Sequence, residues 1–125
     1  MGYLIASSLT GILAQRLVRK LCLDCKQPGP IPTNEINHPV FQNLKHIYQP
    51  KGCKSCGFTG YRGRTGIYEL IVINDALREM IHNGASEEKM LSEARQASID
   101  IYQNGLERVA DGTTSFSELT RVTVS

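Results

Sequence analysis

CKSCGFTGYRGRTGIYELIVI, residues 53–73, runs from a cysteine knuckle through a glycine-rich return into an apolar stretch, and its reading decides the fold. Ile67, Tyr68, Leu70, Ile71, Val72 and Ile73 are nearly continuous, with Glu69 as the one acid among them. This pattern predicts a strand over 65–73 buried on both faces, as in the parallel sheet of an α/β domain. Gly57, Gly60, Gly63 and Gly66 permit a tight return from the knuckle into that strand. They form no phosphate loop, because G-x-x-x-x-G-K-[ST] occurs nowhere in the chain.

Upstream, CLDC (residues 22–25) repeats the spacing of Cys53 and Cys56, and these four cysteines are all the chain contains. Each Cys-x-x-Cys turn delivers two thiolates from one backbone knuckle, and two such turns complete a tetrahedral set. Cys22, Cys25, Cys53 and Cys56 are therefore expected to hold a structural Zn²⁺, with no position open for a substrate. The stretch between the pairs, residues 26–52, is longer than the roughly 15–20 residues of the common zinc-ribbon template. A single iron uses nearly the same four-thiolate spacing. Two disulfides, or a thioredoxin-like redox pair, are the remaining readings; the redox reading leaves the second pair without a purpose.

Around this frame the pattern reads as mostly helical. Leu9, Ile12, Leu13, Leu17 and Leu21 recur at helical spacing, predicting an amphipathic helix over 7–21 capped by Ser7 or Ser8. Residues 26–52 contain all five prolines and predict a loop-rich excursion with at most a short helix near Phe41 to Ile47. It looks too poor in apolar residues to hold itself. After the strand, Asn74 or Asp75 opens a helix carrying Leu77, Met80 and Ile81 inward, with Gly84 at its end. Ser86 opens a second helix. A third covers Ile99 to Ala110 with Gly105 as a soft point, and Ser115 to Glu118 fits a capping box for a last one. The fold class is an α/β piece: helix at 1–21, tetracysteine insertion at 22–57, return loop and core strand at 58–73, helical subdomain at 74–125. The strand has no evident partner within the chain, so the piece is expected to belong to a larger α/β core.

The formal charge of +2 conceals an asymmetry. Residues 1–73 hold nine Lys/Arg against three Asp/Glu, and residues 74–125 hold five against nine. The basic half surrounds the cysteines and offsets the net negative charge of a tetrathiolate zinc site. It also suits an anionic surface, phospholipid or a neighbouring acidic subunit, and Arg62 and Arg64 are the candidate contacts. Few aromatics are interleaved with the basic residues, which argues against nucleic acid. His38, His46 and His82 are scattered, and no catalytic constellation is present. The apolar stretch Tyr3 to Ala14 is too short to cross a bilayer and follows no basic segment, so neither a membrane helix nor a signal peptide is expected. With paired thiols, that points to a reducing cytosol.

Three blocks carry a resemblance: ASSLTGILAQRLVRKLCLDC (6–25), CKSCGFTGYRGRTGIYELIVI (53–73) and IHNGAS (81–86), followed by GLERVADGTTSFSELTRVT (105–123). Together they resemble the C-terminal part of the type II secretion ATPases, and the type IV pilus-assembly ATPases look similar. The resemblance implies a parent with a RecA-like core, assembled as a homohexamer at the cytoplasmic face of the bacterial inner membrane. There it would couple hydrolysis of ATP, with Mg²⁺, to pseudopilus assembly beside inner-membrane platform proteins. The family's nucleotide motifs are missing here, so the chain alone is expected to be no enzyme. By the same resemblance Cys22, Cys25, Cys53 and Cys56 match the zinc ligands, and Arg62 and Arg64 lie in the basic segment beside them. Ala97 to Leu106 departs from the more basic helix of the family, which removes support for a partner contact there. The competing class is a stand-alone zinc-binding interaction module.

Overall fold

The computed structural model describes residues 10–72, 75–96 and 98–123. Ser7, Ser8, Leu9, Ile73 and Asn74, which the helix and strand expectations included, lie outside the described residues. Contacts divide the chain into two compact units, Met1–Gln15 with Tyr68–Ile101 and Arg16–Ile67 with Tyr102–Ser125. Among the described residues no helix is long and apolar enough to cross a membrane.

The largest departure from expectation is at the start. Thr10–Leu21 is a β-strand, β1, and not an amphipathic helix. The apolar stripe fails as a helix face: Ile12 and Leu17 are exposed, whereas Val18 and Leu21 are buried. Ala, Leu, Gln, Arg and Lys give this segment good helix propensity, a weak prior that tertiary pairing overrides. The pairing comes from β4, Tyr61–Val72, also twelve residues long, which lies between β1 and β5 (Ser98–Ile99) in one three-stranded sheet. The end of β1 is then held by non-local bonds. Leu21 N–H donates to the Thr113 carbonyl at 2.8 Å, and Cys22 N–H to that of Gly60 at 2.9 Å. As an edge strand β1 carries Arg16, Arg19 and Lys20, charges that discourage further strand addition.

The expected strand over 65–73 is present within β4, but its setting differs. It pairs antiparallel with β5, Leu70 opposite Ile99 and Ile71 opposite Ser98. Its partners therefore lie in this chain, and Ile67 alone among its described side chains is fully buried. Antiparallel pairing leaves one face free to meet water, which accounts for the partial exposure of its other residues.

The excursion also has more structure than its prolines suggest. β2 (Gln27–Gly29) and β3 (Ile47–Gln49) form an antiparallel ribbon with Gly29 opposite Ile47. A single 3-10 turn at Pro39–Phe41 replaces the short helix, capped by His38, whose Nδ1 accepts from Val40 N–H at 3.1 Å. Phe41 and Ile47 are buried, so the excursion has apolar anchors of its own.

The helices fall close to expectation: α1 Asp75–His82, α2 Glu87–Gln96, α3 Ile101–Ala110 and α4 Phe116–Thr123, except that Ile99, expected to open α3, lies in β5. Ser86 caps α2, its hydroxyl accepting from Lys89 N–H at 3.2 Å. In α1 Leu77 is buried, but Ile81 points outward at 57% exposure. In the unit built from 16–67 and 102–125, Val18, Ile67, Leu106, Val109 and Leu119 form the core.

Gly105 is no soft point. It is buried, and a Cβ built on it would sit 2.2 Å from Leu119 Cδ1 and 3.3 Å from its Cγ. Gly105→Ala is therefore expected to destabilise by about 1–2 kcal/mol, although alanine is the better helix former by about 1 kcal/mol. A urea midpoint that rises in this variant would refute the close α3–α4 packing.

Candidate metal centre

Each knuckle is shaped locally before any cation is considered. The first follows the end of β1, where Lys26 N–H donates to the Cys22 carbonyl at 3.0 Å and closes the turn. The second is a 3-10 turn, Lys54–Cys56, ended by Gly57 in the left-handed region (φ 65°). Phe58 also has positive φ (64°), a rare conformation for a bulky residue, and its N–H returns to the Cys53 carbonyl at 2.8 Å. Gly60 is needed for space as well as conformation, since a Cβ there would lie 2.4 Å from Pro50 Cβ.

These turns bring all four Sγ atoms within 4.8 Å of one another. Cys22 and Cys53 are 3.7 Å apart, Cys25 and Cys56 3.9 Å, and Cys53 and Cys56 3.8 Å. Four sulfurs held tetrahedrally at about 2.3 Å from one centre stand about 3.8 Å from each other. A disulfide needs about 2.05 Å, and all four cysteines are free. The donor set and its edges thus fit a four-thiolate metal ion and do not fit bridged sulfurs.

Backbone amides surround the sulfurs. Gly52 N–H donates to Cys25 Sγ at 3.3 Å, and Cys53 N–H and Gly60 N–H donate to Cys56 Sγ at 3.2 and 3.1 Å. Burial opposes the Cys56 thiolate, but hydrogen bonds from the amides of Cys53 and Gly60 and from the Cys53 and Cys25 thiols together outweigh it and bring its pKa down to about 6. Burial pushes the Cys22 thiol up to about 11. A divalent cation that takes all four sulfurs binds them as thiolates, so its binding releases protons.

Arg62 and Arg64 are both exposed at the start of β4, on either side of Gly63 (φ 79°), which interrupts the strand's alternation. Arg62 lines a cavity beside the first knuckle with Lys20 and Lys26, while Arg64 does not. His38 and His46 make ring contacts with Phe41 and Tyr48 within the excursion, and the sulfur cluster includes neither.

The residue most underrated by sequence is Glu118. Ser115 Oγ accepts from Glu118 N–H at 3.1 Å, so half of the capping box forms. The carboxylate instead turns to Arg19 and Arg121. It accepts Arg19 N–H at 2.8 Å, Arg19 Nη2 at 3.0 Å, Arg121 Nε at 2.9 Å and Arg121 Nη2 at 2.8 Å. Its side chain is wholly buried, and these partners, Arg121 first, hold its pKa down at about 2. The Arg19 guanidinium lies 4.2 Å from the Tyr61 ring centroid, and Tyr61 Oη is 2.6 Å from Ser115 Oγ. This network ties α4 to the strands from which the first knuckle and the return loop extend. An acid three residues after a serine looked like a cap, and no local signal revealed its distant arginine.

The profile of a family described as "Type II/IV secretion system protein" matches residues 1–121. The chain is 45% identical over 125 residues to the Type II secretion system ATPase E of Vibrio cholerae, covering 97% of this chain and 24% of that protein. It is 44% identical to the Type II secretion system protein E of Dickeya dadantii over 97% of this chain and 24% of the relative. The corresponding protein of Aeromonas hydrophila is 44% identical over 97% of this chain and 25% of its own length. The chain spans about a quarter of the length of these curated relatives.

Proposed function

The chain belongs to the type II/IV secretion system protein family, and from that premise we propose that it is the metal-holding C-terminal part of a longer secretion ATPase. The observation that carries this reading is the sulfur tetrad, four Sγ atoms within 4.8 Å of one another with three of the six edges at 3.7 to 3.9 Å, in a chain matched by the family profile over 1–121. Cys22, Cys25, Cys53 and Cys56 would hold one Zn²⁺. The ion would supply cross-linking and no chemistry toward substrate, because all four positions are filled by protein. It would join the end of β1 to the return loop before β4 and so close the base of the excursion.

In the assembled motor, a cytoplasmic homohexamer peripheral to the inner membrane, ATP and Mg²⁺ would bind in the RecA-like part outside these residues. The excursion would meet platform proteins, and Arg62 and Arg64 would face an anionic partner, a neighbouring subunit or acidic phospholipid. The likeness to proteins named for type II secretion favours that system over pilus assembly.

The absence of a phosphate loop from the sequence sets the first test. Calorimetric titration of the metal-loaded chain with Mg-ATP is expected to give no saturable heat up to millimolar nucleotide. Tight, stoichiometric binding would overturn the assignment of the nucleotide site to another part of the protein.

A further inference from the structure

An open cavity of about 680 Å³ lies beside the first knuckle, apart from the sulfur cluster and within the unit formed by 16–67 and 102–125. Lys20, Lys26 and Arg62 line it together with Leu23 and the carboxylates of Asp24 and Asp111. These charges are not balanced within the cavity. Asp111 is already engaged, its Oδ2 3.2 Å from Arg108 Nε and its Oδ1 accepting Thr113 N–H at 2.9 Å. Among the described residues, no ion pair satisfies Lys20 or Arg62. Asp24 is the one other acidic residue lining the cavity, against three basic ones.

One of those cations is held in place. Lys26 Nζ donates to the Gly112 carbonyl at 3.1 Å and lies 4.6 Å from the Tyr48 ring centroid. An ammonium has three donors, so this anchoring still leaves capacity for an anion. The stem of Lys20 runs over Gly63 so closely that a Cβ there would be 3.2 Å from Lys20 Cε. Beside them Leu23 is 82% exposed, the most exposed of the large apolar side chains among the described residues. A volume in this range suits a ligand of a few residues.

From this geometry we infer that the cavity is a docking slot for an acidic peptide segment of a partner protein. Carboxylates of that segment meet Lys20, Lys26 and Arg62, and an apolar side chain between them covers Leu23. A concave slot admits side chains, whereas a bilayer surface cannot enter it. Among the described residues no aromatic ring lines it to stack a base, and the chain has no phosphate loop, so a nucleotide is a poorer fit. The inference needs the first knuckle to be folded but does not depend on the chain being part of a secretion motor. It narrows the anionic contact of Arg62 to a protein partner.

The test uses the zinc-loaded chain and a fluorescent short peptide alternating Glu and Leu. The same peptide with Lys for Glu and phosphatidylglycerol vesicles are separate arms. Metal content is measured on every sample, so loss of the knuckle is distinguished from loss of the slot. The acidic peptide should bind with an affinity that falls with salt, and it should shift the amide signals of Leu23, Gly63 and Thr113. Lys20→Glu with Arg62→Glu should weaken it at least about tenfold. Leu23→Ser, at a position too exposed to disturb the core, should weaken it several-fold, while Lys45→Glu outside the slot should change it less than about twofold. Equal binding of the Lys peptide, binding to vesicles alone, no binding at all, or undiminished binding by the metal-loaded double variant would each overturn the inference.

Discussion

Replacing Cys53 and Cys56 together by serine is expected to abolish metal uptake and to release residues 26–52 from the rest of the chain. The wild-type chain should carry one zinc per molecule by native mass spectrometry, and the variant none. In small zinc domains the metal contributes on the order of 10–16 kcal/mol of folding free energy, because little else orders the chain. Here the excursion has other anchors, the β2–β3 ribbon and the buried Phe41 and Ile47. The loss should therefore be smaller, about 3 kcal/mol or more, with melting lowered by roughly 10 °C. Limited proteolysis should cut first within 26–52, where all the prolines lie and the knuckles no longer hold the ends. A variant that lacks metal and still resists protease like the parent would remove the staple from the account. A strong chelator acting on the wild-type chain should reproduce the same cleavage pattern.

Glu118→Ala should destabilise by about 3 kcal/mol, among the largest effects of any single substitution in the chain. The carboxylate is fully enclosed, while Arg19 and Arg121 are about half exposed and can rehydrate when it is removed. That rehydration keeps the effect at the low end for broken buried pairs. The backbone N–H of Arg19 loses its acceptor as well, which Glu118→Gln can partly restore. Acidity offers a second readout. The folded-state pKa is about 2, below the ordinary 4.5, so the contribution of Glu118 is fully present above 4.5. It is lost as pH falls toward 2, and amounts to on the order of 3 kcal/mol. Urea midpoints at pH 6 and pH 3 should fall further for the wild type than for Glu118→Gln. Both proteins lose metal in the same acid window, so the difference between them isolates the carboxylate. Parallel declines would show that Glu118 is not ionised and paired as described.

Local chemistry made part of this readable in advance. A Cys-x-x-Cys turn is a short-range object, and two of them carry their metal chemistry in residue identity and spacing alone. The helix starts at Ser86 and Ser115 were legible for the same reason, since a cap needs only a side chain and an amide two or three residues on. Legibility failed where the decisive partner was distant. Arg19 and Glu118 are 99 positions apart and combine only through the fold. Gly105 looked like a weakness in a helix until Leu119 occupied the space its missing side chain leaves.

By itself, then, the sequence determined the four thiol donors, the return loop rich in glycine, the later helices and the family. Tertiary structure alone decided that Thr10–Leu21 is extended, that the apolar run of β4 finds antiparallel neighbours in this chain, and that a buried carboxylate gathers two arginines. The physical reason is the range of the interactions. Caps and knuckles close over a few residues, whereas a strand has no hydrogen-bonding partner until a segment far along the chain arrives beside it.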